Sequence, residues 1–174
     1  MAQIPTRLLI HQRLQALLQG ITSENGYDYE LGDAVFRGRI ILGADVPAPA
    51  LSILEAPRPD AAMDYGGEDY EARRDHLTLL IQGIVENDIE NPTDPAYYLE
   101  AAVEHRLSRI LATNPRNGSP LYQEHYNLGG LITQIEIGAP VVRPPENNVS
   151  KTAFFFLPVR VGIVGRTDDP YTSV

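Results

Sequence analysis

The densest set of chemically capable side chains is the carboxylate run Asp60, Asp64, Glu68, Asp69, Glu71 and Asp75. Oxygen ligands at alternate positions bind hard cations when a central Gly and a distal Glu complete the loop. This spacing fits no such loop, and a solvated acidic segment is the plainer reading. His11, His76, His105 and His125 are scattered, with no HxH or HExxH pair to converge on a metal, so each reads as a surface or packing histidine. No serine lies in a GxSxG turn. Gly129-Gly130 has neither the spacing nor the Lys of a phosphate loop. Arg37, Arg39 and Arg160 could form a basic spot on a sheet. There they would either pair with local carboxylates or fix the register of a subunit contact, because a planar guanidinium pairs bidentately. No catalytic residue, cofactor or metal site is indicated.

Composition narrows the classes further. The 174 residues suit one domain with its own core. With no cysteine, disulfides, thiolate metal sites and cysteine nucleophiles are excluded. The N-terminal MAQIPTRLLIHQRL mixes charge into its apolar run, so neither an export signal nor a membrane span is expected, and the protein reads as soluble. A net charge of -9 and a single lysine, Lys151, argue against holding a phosphate backbone, which depends on clustered cations. An acidic surface still suits a protein that lets DNA slide past.

The elements that must position these residues follow from periodicity. Residues 6–21 place Ile10, Leu14, Leu17, Leu18 and Ile21 at helical spacing. Asn25-Gly26 ends that helix. Residues 27–31 and 34–40 read as a hairpin whose second strand points Arg37 and Arg39 to one face. ALSILE at 50–55 is a compact strand. Residues 57–74 are acidic and broken by Pro and Gly, and they read as a long loop or flexible hairpin. Its Tyr65, Asp69 and Tyr70 suit contact with a partner.

Residues 75–86 are apolar on both faces, as in a central strand. Asp94 as N-cap and Pro95 at the first position open a helix to about residue 112, with Leu99, Val103 and Leu107 buried and Glu100, Glu104, Arg106 and Arg109 wet. Another strand spans 131–137, and a Pro-rich connection follows. The longest strand-like run is TAFFFLPVRVGIVGR at 152–166, with an unbroken apolar face from Ala153 to Ile163. Pro158 cannot donate to a ladder, which predicts a sheet edge or a bulge there. The tail at 167–174, including Tyr171, has no core to join. The expectation is a single α+β domain over 1–166: a mainly antiparallel sheet with two helices packed on one face and a long acidic loop insertion.

ITSENGYDYELGDAVFRGR after an amphipathic helix, then PALSILE, HLTLLIQGIVEN, DPAYYLEAAVEHRLSRI and a last long strand before TDDPY, resembles the tail terminator or tail completion proteins of long-tailed bacteriophages. Asn25-Gly26-Tyr27, the strand from Val35 to Arg39 and the Asp94-Pro95 helix start carry most of the likeness. The resemblance implies a non-enzymatic virion protein without cofactors, made in the host bacterial cytoplasm and located at the head-proximal end of the tail. There a homo-hexameric ring would cap the tail tube, end its polymerisation and meet the head-tail connector or neck proteins, with DNA passing through the lumen unbound. No membrane is involved. The tail-to-head joining proteins have a similar fold. The residues expected to contact neighbours are Arg37, Arg39, Tyr65, Asp69, Tyr70, Arg160 and Tyr171. Two other readings are open: a head-completion or baseplate adaptor, and a small cytosolic enzyme with a metal site near Asp64 and Asp69.

Overall fold

The computed structural model describes residues 3–42, 45–56, 72–146, 151–166 and 169–172. Two strands form its axis: Ala72–Glu86 (β4) and Thr152–Arg166 (β7), antiparallel and paired along all 15 residues of each. Their odd positions share one face, where Leu77, Leu79, Ile81, Leu157, Val159 and Val161 are buried. The helices Thr6–Gln19 (α1) and Asp94–Leu107 (α2) cover that same face, contributing Ile10, Leu14 and Leu18 from α1 and Leu99, Val103 and Leu107 from α2 to one core. Ile4–Pro5 (β1), Val35–Arg37 (β2), Ala50–Glu55 (β3), Gln134–Ile137 (β5) and Val141–Arg143 (β6) precede β7, and Tyr171–Thr172 (β8) follows it.

The six-stranded sheet runs β2-β3-β4-β7-β5, with β6 also on β7. Only the β2–β3 pair is parallel. With both long helices on one side of a mainly antiparallel sheet, the fold is α+β. No described helix is long and apolar enough to cross a membrane.

Several expectations need correction. β7 is not an edge strand, because β4 flanks it on one side and β5 and β6 on the other. Pro158 is accommodated because its carbonyl accepts from Gly138 N–H (2.8 Å), so its backbone faces the three-residue step between β5 and β6. The missing donor therefore falls where the partner strand is interrupted. Residues 27–31 form no strand, and the hairpin with 34–40 is absent. Leu31 is drawn into the core, with its N–H on Ile21 O (2.9 Å), and β2 pairs parallel with β3 instead. Residues 72–74, expected in the loop, are strand, paired with 164–166. The expected loop at 57–71 lies outside the described residues.

The strand expected over 131–137 begins only at Gln134, and the Pro-rich connection after it holds β6. The second long helix begins after Thr93 rather than capping on Asp94, and its α-helical part ends at Leu107, with a 3-10 turn over Ser108–Ile110. Its Glu100 and Arg106 are buried rather than wet. The chain end is tied back to its start: β8 pairs with β1, and Thr6 N–H donates to Pro170 O (3.0 Å). Asn127–Gly130 (α3) is a single turn in which Asn127, Leu128, Gly129 and Gly130 all have positive φ. That conformation accounts for the glycine pair without any phosphate.

Candidate subunit-contact surface

The described residues best suited to recognition lie where α1 meets the outer edge of β2. Arg7, His11 and Gln15 recur every four residues and so share one stripe of α1, with Leu8 beside them. Gln15 Nε2 donates to Val35 O (2.7 Å) and ties the helix to the strand. Leu51 N–H donates to Ala34 O and Gly38 N–H to Ile53 O (both 2.9 Å), so alternate backbone groups of β2 face β3. The intervening Val35 and Arg37 direct theirs outward.

Gly38, at φ +69, then turns the chain out of strand geometry. Ser52, fully buried, donates through Oγ to Arg39 O (2.7 Å) and fixes the turned segment on β3. Arg39 folds back with its guanidinium 4.9 Å over the Phe36 ring and pairs with Asp45. The result is an open groove of about 570 Å³ floored by Leu8 and Phe36 and rimmed by His11, Arg37 and Arg39. Ile40 and Ile41, next along the chain, are each 76% exposed.

The groove is cationic. Arg37 is exposed and has no ion pair among the described residues, whereas Arg7 reaches Glu55 (3.5 Å) and Asp75 (3.6 Å). Burial holds the His11 pKa below its ordinary value of 6.5. Glu55 opposes that shift, while Arg37 and Arg7 reinforce it. An imidazole so placed is neutral near pH 7 and leaves Arg37 as the charge that a partner meets. Such an arrangement recognises; it offers no nucleophile beside a base, and among the described residues no three His, Asp or Glu side chains converge on a possible metal position.

The structure brings Arg37 and Arg39 to this groove, but through the Gly38 turn rather than through strand alternation. Arg160 is elsewhere: it lies three strands away on β7, on the sheet face away from the helices. There it stands opposite Glu136 without an ion pair. The three-arginine spot is therefore not formed. Tyr171 is on β8 beside Pro5, 44% exposed. Tyr65, Asp69 and Tyr70 lie outside the described residues. Sequence reasoning missed Leu8, His11, Gln15 and Phe36. The four-residue recurrence of Arg7, His11 and Gln15 was the available signal, opposite the apolar stripe that dominates the helix. No protein-family profile and no curated protein matches the chain.

Proposed function

We propose that this chain is a structural virion protein of a long-tailed bacteriophage. It forms a ring on the finished tail tube, stops further polymerisation and presents a surface to the head or neck. One observation carries the reading: the stretches that bear the resemblance fold in their linear order into one α+β layer. Those stretches are the amphipathic α1, the ALSILE strand β3, the long β4, the Asp-Pro start of α2 and the long β7. A small domain of this kind, with an exposed cationic groove at a sheet edge and a net charge of -9, has surfaces for neighbours and little attraction for a DNA backbone. The role is one of assembly, with no catalytic step.

The test is to image purified particles carrying an affinity tag on this protein. A single sixfold ring at the head-proximal end of the tail supports the reading. Label at the portal side only, or at the baseplate, would assign an adaptor role instead, and absence from particles would overturn it.

A further inference from the structure

A second exposed surface has the opposite character from the groove. No Lys or Arg occurs from residue 75 to residue 105, while Asp88, Glu90 and Asp94 lie exposed in the segment that leads into α2. Large apolar side chains are exposed among these carboxylates: Ile89 is 93% exposed, Tyr98 70% and Tyr97 55%. The segment is held rigidly. Asp88 Oδ1 accepts from the N–H groups of Glu90 (2.8 Å) and Asn91 (2.7 Å), and Tyr29 Oη donates to Pro95 O (3.3 Å). Exposed tyrosines on a rigid acidic face present flat apolar area at low entropic cost, and guanidinium groups stack on them and pair with the carboxylates around them.

We infer that the Leu8, Phe36 and Arg37 groove of one copy receives the Ile89, Tyr97 and Tyr98 face of a second copy, in a heterologous contact between two different patches of the same chain. Charge complementarity identifies the occupant. The unpaired Arg37 meets Glu90 and Asp94, while Leu8 and Phe36 meet the tyrosine rings. The two patches share no residue, so each copy uses both at once, and repetition generates a ring or a filament rather than a closed pair. The inference rests on the ring reading above and names its contact.

Because the chain has no cysteine, single thiols can be introduced cleanly. Full-length Leu8→Cys and Tyr97→Cys proteins, both at exposed positions, are mixed across a concentration series and treated with a short bismaleimide. The expected product is a mixed link between residues 8 and 97 that dominates both self-links. Arg37→Glu on the first protein or Glu90→Arg on the second should each lower the yield about tenfold, and the two together should restore it. Circular dichroism melts matching the parent keep folding out of the comparison. Dominant 8–8 or 97–97 links, no link between copies, or a yield indifferent to both reversals would overturn the contact. A sixfold ring on particles with no 8–97 link removes this contact and leaves the ring reading standing; an 8–97 link with no ring on particles does the reverse.

Discussion

The Phe155 ring lies across the face of Gly83 on the neighbouring strand. A Cβ built on Gly83 would fall 2.2 Å from Phe155 Cε1, and the two residues are direct cross-strand partners at the centre of the β4–β7 ladder. Phe155 is fully buried, and its ring fills the space that the missing side chain leaves beneath the helices. The glycine is therefore a packing requirement, since neither residue carries a positive φ there.

Gly83→Ala should cost about 2–3 kcal/mol by overpacking. Phe155→Leu in the same chain should recover part of that loss, because the smaller side chain yields the contested volume. Urea denaturation of the two single variants and the double variant checks this as a cycle. Additive losses would show that the two residues do not compete for one space.

Arg106 joins the two long helices at the end of α1. Its Nε donates to Leu17 O (2.7 Å), an end carbonyl that the helix itself satisfies only through the tight turn to Gly20. The guanidinium lies so close to Gly20 that a Cβ there would fall 1.8 Å from Nη2. Arg106→Met should lose about 2–4 kcal/mol, since it removes a buried charge-assisted hydrogen bond and a cation at a helix C-terminus. Arg106→Lys should not rescue, because an ammonium cannot reproduce the planar fork. Gly20→Ala should approach the same loss by displacing Arg106. The midpoint of chemical unfolding is the readout.

Glu100 is buried on α2, one of its carboxyl oxygens has no hydrogen-bond partner among the described residues, and its pKa is raised to about 7 by burial and then by Glu104. An acid whose folded pKa lies above its unfolded value of 4.5 contributes stability only below that value. The contribution is lost as pH rises through about 7. Glu100→Gln should therefore match the parent near pH 4 and exceed it by on the order of 1–2 kcal/mol above pH 7.5. A stability gain independent of pH would show that ionisation of Glu100 is not the cause.

The left-handed turn over residues 127–130 sets Leu128 into the core at φ 52. Gly130→Ala, at φ 84, should cost about 1–2 kcal/mol although nothing lies within 4 Å of the added Cβ, because the cost is backbone strain rather than contact. Gly32→Ala has the same open space without positive φ and should be close to neutral. Thermal melts of the pair separate the two effects.

Local repetition made much of the fold legible. The apolar alternation from Ala153 to Ile163 and from Leu77 to Val85 reports the buried face of β7 and β4. The stripe from Ile10 to Leu18 reports the inner face of α1, and Pro95 marks the start of α2 to within a residue. Each signal lies within one element, where side-chain period and backbone geometry are coupled directly.

What depended on partners was not legible. Pro158 is a sheet-edge signal until a strand interruption between Ile137 and Val141 is placed beside it. Glu100 and Arg106 carry the character of solvated residues, and only the packing of α2 on α1 and the sheet buries them. The polar residues 72–74 gain strand structure from the last turns of β7, with no pattern of their own.

The sequence by itself determined the α+β class, the single apolar face of the sheet and the absence of any thiol chemistry, because period and composition are properties of the chain alone. The tertiary structure decided that β7 is central, that β2 runs parallel to β3, and that Arg37 and Arg39 share a groove with α1 while Arg160 does not. Those outcomes rest on contacts between residues far apart in the chain, and such contacts leave no local period to read.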